Sequence, residues 1–129
     1  MFNIFCFYNV DIFYISAPSK KEIPLLSDAS LTCLAKELAS DSLKIAMYMN
    51  VPTGTLINIQ LKGQSKGLTE ADMATNMILQ WKKQRELAKD KDKAAELERA
   101  LKDNGKTEMA DVVADKIREG LELTADSFR

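Results

Sequence analysis

The chain contains no histidine. Imidazole general-base catalysis, histidine-centred nucleophilic triads and histidine metal ligation are therefore closed to it. Cysteine is nearly absent: Cys6 and Cys33 are the only two. Two thiols make no disulfide scaffold, and without histidine they cannot complete a structural zinc site. They read as free thiols of a reducing compartment. Neither sign of charge dominates, with 18 basic and 19 acidic residues and a net charge of −1. No overall field steers such a chain to nucleic acid or to an acidic membrane. No apolar run reaches the roughly 20 residues of a membrane-spanning helix.

What remains is 129 residues, 46% hydrophobic and 29% charged, enough for one soluble domain with one core. The stretch TEADMATNMILQWKKQRE, Thr69 to Glu86, organises the rest and holds the only tryptophan, Trp81. Ala74, Met77, Ile78 and Trp81 recur at i, i+3, i+4 and i+7, one apolar stripe of an amphipathic helix. Thr69 with Asp72 three residues later is a variant of the capping-box start. The acids fall early in this helix, while Lys82, Lys83 and Arg85 fall late, as the helix dipole favours.

Residues 1–17, MFNIFCFYNVDIFYISA, are dense in aromatic and β-branched types. No basic residue precedes the run, as a signal peptide requires, and Asn9 and Asp11 interrupt it. Two readings stay open for it: an extended tail with room for a short strand, or a membrane segment or signal anchor cut short. Pro18 and Pro24 discourage helix in the polar linker that follows. The expected organisation is a tail and linker at 1–27 outside the core, a helical domain at 28–120 and a fraying tail at 121–129. Within the domain Leu31, Leu34, Ala35 and Leu38 form a first stripe, with Asp28 or Ser30 as its cap. A short second helix from Asp41 or Ser42 carries Leu43, Ala46 and Met47, and Asn50 to Gly54 breaks it. Leu56 and Ile59 mark a short third element, and Lys62 to Gly67 reads as a polar loop. After the central helix and the run KDKDK, a fifth helix carries Ala94, Leu97 and Leu101 and stops at Asn104-Gly105. Thr107 caps a sixth with Met109, Ala110, Val113 and Ile117 facing in, and Gly120 ends it. The fold class is all-α: six helices of two to four turns with short connections, which favour antiparallel neighbours in a bundle. The predicted core comprises Leu34, Leu38, Leu56, Ile59, Met77, Trp81, Leu97, Leu101 and Val113.

No catalytic, cofactor or metal site emerges. The string GQSKG at 63–67 lacks the order of a phosphate loop and follows no strand. Asp111 and Asp115 share a helix face as a solvated edge, and Glu96 and Glu98 point to different faces. The charge distribution is more informative. Residues 82–93 hold six basic groups against three acidic, and residues 108–126 hold six acidic against two basic. A near-neutral chain thus has a basic pole and an acidic pole. Residues 82–93 lack the interleaved aromatics of a nucleic-acid surface.

Three strings are similar to parts of a death domain. LAKELASDSLKIAMYMNVPTGTLINIQ, Leu34 to Gln60, resembles its first three helices. ILQWKKQRE, Ile78 to Glu86, resembles the end of its fourth. AAELERALKDNGKTEMADVVADKI, Ala94 to Ile117, resembles its last two. Order and spacing agree over about residues 28–119. Leu43 stands where the family usually has a tryptophan. The resemblance implies a death-fold bundle without enzymatic activity. It implies homotypic binding to other death-domain proteins, with homo-oligomers possible, in cytoplasmic apoptotic or inflammatory signalling complexes. No nucleic acid is implied, and no membrane insertion by the domain itself. The family's fourth-helix end corresponds to Lys82, Lys83 and Arg85, and its fifth-to-sixth-helix corner to Lys106, Glu108 and Asp111. The other reading is a small helical structural or regulatory domain of a different family, without homotypic binding.

Overall fold

Short polar side chains cap the starts of two of the six described helices. The structure, a computed structural model, describes residues 22–128. A 3-10 turn at Pro24–Leu26 leads into α1 (Asp28–Leu38), α2 (Asp41–Tyr48), α3 (Thr53–Ser65), α4 (Glu70–Gln84), α5 (Asp90–Asp103) and α6 (Thr107–Glu119). No strand occurs among the described residues, and none of their helices is long and apolar enough to cross a membrane. The α4 start is a complete capping box. Thr69 Oγ1 accepts from the Asp72 backbone N–H at 3.1 Å, and Asp72 Oδ2 accepts from the Thr69 N–H at 3.4 Å. At the α1 start the cap is Ser27, whose Oγ accepts from Ser30 N–H at 3.2 Å, in place of the expected Asp28 or Ser30. Thr107 is the first residue of α6 and makes no cap bond, because Lys106 holds the cap position. The α6 end is a Schellman closure: Gly120 is left-handed at φ 70°, and Leu121 N–H reaches Lys116 O at 3.0 Å.

The stripes converge on one core. Helix α4 lies against α1, α2 and α3, while α5 pairs with α6. Trp81 is completely buried, together with Leu31, Leu34, Ile45, Leu56, Ile78, Leu97, Leu101 and Val113. Leu38 and Met77 are buried as well, and Ile59 is half-buried at the core margin. Burying one such aliphatic side chain stabilises by about 1.5–3 kcal/mol. Met47, expected to face in, is 47% exposed, because α2 turns Ile45 and Ala46 inward.

The core is wider than the 28–120 boundary. Leu25 and Leu26 of the 3-10 turn are fully out of water, packed where the turn meets α1, α5 and α6. Leu123 is buried, and its N–H donates to the buried Ser30 Oγ at 3.0 Å. Both flanks therefore close over the α1 start, since unsatisfied leucines are costlier in water than the few residues ordered to cover them. The readings made for residues 1–21 lie outside the described residues. Helix α3 is also longer than its pattern suggests, running through Lys62–Ser65. Gly63, read as a loop residue, is buried there. A Cβ at this position would stand 2.5 Å from Met73 Cγ, so glycine permits the α3–α4 approach. The run KDKDK, placed ahead of the fifth helix, falls largely within it: α5 begins at Asp90, and Lys93 is buried.

Candidate interaction surfaces

The end of α4 carries the predicted basic pole, and the structure divides its members by what they touch. Lys82 points back at the chain entering the domain. Its Nζ lies 2.9 Å from Glu22 Oε2 and 2.6 Å from Asp28 Oδ1, with the side chain only 20% exposed. Burial opposes its charge, but the hydrogen bonds to Asp28 and Glu22 outweigh it and raise the pKa. Arg85 lies over Glu96 of α5, Nε to Oε1 at 3.1 Å. That nitrogen is buried and off the hydrogen-bond direction, so the ion pair alone holds it. The same Glu96 oxygen accepts from Trp81 Nε1 at 2.8 Å. Beside it, Gln84 Nε2 donates to the carbonyl of Asn50, a left-handed residue at φ 67°. Lys93, a member of the same basic run, is buried and sits 3.2 Å from Asp90, whose other oxygen accepts from Ile23 N–H.

The corner at the start of α6 divides in the same way. Lys106 Nζ pairs with Asp41 Oδ2 at 2.6 Å, joining the starts of α6 and α2. This hydrogen bond, followed by the Lys106 charge, lowers the Asp41 pKa. Glu108 and Asp111 are exposed, with no ion pair to a described residue. Lys83, Lys89 and Lys91 are exposed in the same way at the basic pole, alongside Glu86 and Asp92. Of the six predicted partner-binding residues, Lys83, Glu108 and Asp111 are thus exposed and make no ion pair with a described residue. Lys82, Arg85 and Lys106 are committed inside the chain.

Two features escaped the sequence pattern. Leu87, between α4 and α5, is 98% exposed. Its sequence signal is a leucine off the Ala74–Trp81 stripe and ahead of the α5 start. It stands at the mouth of a groove of about 570 Å³ lined by Lys82, Lys83, Glu86 and Lys93. At the other end of α4, Leu43, Met73, Ala74 and Met77 form the apolar side of a smaller pocket of about 120 Å³. Ser40, Gln60 and Glu70 stand at its rim. Both methionines line this pocket; Met77 is also buried in the core, and Met73 is half-buried. Among the described residues no three acids or thiols gather as a metal site would need. In comparison with known proteins, the chain matches no family model, no curated protein and no solved structure.

Proposed function

We propose that this domain is a homotypic protein-interaction module of death-domain type, assembling cytoplasmic signalling complexes without enzymatic activity of its own. The reading is supported by the six-helix order, in which the three death-domain-like strings fall on α1–α3, on the end of α4 and on α5–α6. The observation that carries it is the presentation of charge. Lys83 stands exposed at one surface and Glu108 with Asp111 at another, while Lys82, Arg85 and Lys106 are paired within the chain. Two different complementary patches make a heterologous contact, which repeats from copy to copy or between related partners.

Charge reversal is the test, because like charges facing each other cost more than a lost attraction. Lys83→Glu and Asp111→Lys, each alone, abolish assembly in light scattering while circular dichroism stays unchanged. Combining them partly restores it. Raising salt from about 0.1 M to 1 M, which shortens the screening length from about 10 Å to 3 Å, weakens the wild-type assembly. Unchanged assembly by both folded single variants refutes the charged-pole interface. A wild type that stays monomeric at every concentration and salt, with death-domain partners present, returns the domain to a structural or regulatory role.

A further inference from the structure

A leucine with 98% of its surface in water is the least buried large apolar side chain described in the chain. Its neighbours make it a knob rather than a patch. Glu86 and half-buried Ala88 adjoin it in a turn closed by Ala88 N–H to Arg85 O at 3.0 Å, with Lys83 exposed in the last turn of α4 and Lys89 exposed at the α5 cap. The pocket at the opposite end of α4 has the complementary character. Its wall is Leu43, Met73, Ala74 and Met77, and its volume is about 120 Å³. An apolar cavity of about 150 Å³ accepts a benzene-sized molecule, so this one has room for a single aliphatic side chain. Two methionines in the wall let it adapt to the shape that enters. No cation lines the rim; its charged member is Glu70.

We propose that Leu87 of one copy of this chain inserts into the pocket between α2, α3 and the start of α4 of a second copy. Lys83 or Lys89 of the first then meets Glu70 of the second. Helix α4 is the strut between knob and pocket: with 15 residues it spans about 22 Å. A knob at one end and its socket at the other give a head-to-tail contact, which propagates into a ring or an open filament rather than stopping at a dimer. The occupant is a second copy because both halves of the contact, apolar and charged, are present on this one chain. The inference rests on the reading of the domain as an assembling module and gives it an apolar anchor, which charges alone do not supply. Charges at the rim set rate and specificity, and a buried apolar anchor sets lifetime.

The experiment exploits the asymmetry. Leu87→Asp destroys the knob and keeps the pocket. Ser40→Trp fills the pocket mouth and keeps the knob; Ser40 is exposed and its side chain makes no cap bond, so the fold tolerates the change. Gln60→Trp on the α3 side of the rim is the substitute plug if that variant does not fold. In sedimentation velocity each single variant loses self-association by about tenfold or more, with an unchanged melting temperature. An equimolar mixture of the two forms a species of two chains and nothing larger, since one intact knob meets one intact pocket. Single variants that assemble like wild type, or a mixture of folded variants that stays monomeric, overturn the knob-and-pocket contact. Loss of assembly in Lys83→Glu and Asp111→Lys but not in Leu87→Asp removes the knob and leaves the charged poles standing. Loss in Leu87→Asp alone does the reverse.

Discussion

Trp81 Nε1 donates to Glu96 Oε1 at 2.8 Å from a ring that is otherwise entirely out of water. The bond places the charge of Glu96 at the edge of the core, where Arg85 also meets it. The α4–α5 junction is therefore held by one apolar ring, one carboxylate and one guanidinium. An arginine that looks like a binding residue is part of that clasp.

Trp81→Ala removes the largest buried side chain and costs about 3–5 kcal/mol, enough to unfold a marginal domain. Trp81→Phe keeps most of the volume but leaves Glu96 without its indole donor, at a cost of about 1–3 kcal/mol. Urea denaturation of the two variants checks both. An unchanged midpoint for Trp81→Ala contradicts the packing described.

Arg85→Glu sets two carboxylates against each other at Glu96, so the variant loses stability as well as any partner contact. Lys83→Glu, two residues away and exposed, leaves the melting temperature within about 2–4 °C, as surface substitutions usually do. Calorimetry of the pair separates a fold charge from a surface charge. Equal melting temperatures would place Arg85 outside the clasp.

The Asp41–Lys106 pair makes stability sensitive to acid. Asp41 has its folded pKa lowered below the ordinary 3.8, so its contribution is fully present above that value. It is lost as the pH falls through the folded pKa, because the unfolded chain takes up the proton first. Asp41→Asn therefore melts below wild type at neutral pH, and the gap closes as the pH falls below 3.8. Lys82 has the opposite sign: its pKa is raised above 10.5, so its contribution is intact below that value and vanishes at higher pH. Melting curves across both ranges test the two signs together.

Deletion series locate the true start of the domain. Removing residues 1–20 leaves the thermal transition within a few degrees, because the helical stripes close without them. Removing residues 1–27 strips out Leu25 and Leu26, along with Glu22, a partner of Lys82. Two buried leucines are worth about 3–6 kcal/mol together, so this deletion melts far lower. Equal transitions in the two truncations would mean that the 3-10 turn adds nothing to the core.

Gly63→Ala sets two effects against each other. Alanine gains about 1 kcal/mol of helix propensity, but its Cβ stands 2.5 Å from Met73 Cγ and 2.7 Å from Met73 Sδ. Overpacking costs about 1–3 kcal/mol, so the net change is a loss. Met73→Ala alongside it clears the clash, and the double mutant shows the coupling in a thermodynamic cycle. Additive effects would separate Gly63 from Met73.

Much of the helix architecture was legible because its rules act within a turn or two. The Ala74–Trp81 stripe, the Thr69–Asp72 box and the left-handed Gly105 and Gly120 each depend on residues no more than seven apart. Helix α3 was under-read because its core side is sparse: Leu56 and Gly63 are its only buried residues. A buried glycine carries no hydrophobic signal. Of the candidate surface, the amino acids alone showed where charge accumulates along the chain. Which charges stay available was decided only in three dimensions. Lys82 meets Asp28 across 54 positions, and Lys106 meets Asp41 from another helix. The burial of Leu25, Leu26 and Leu123 and the exposure of Leu87 were settled in the same way. Periodicity reports which face of a helix is apolar. It cannot report what lies opposite that face, because pairing across the fold depends on how whole helices stack, and no local repeat encodes it.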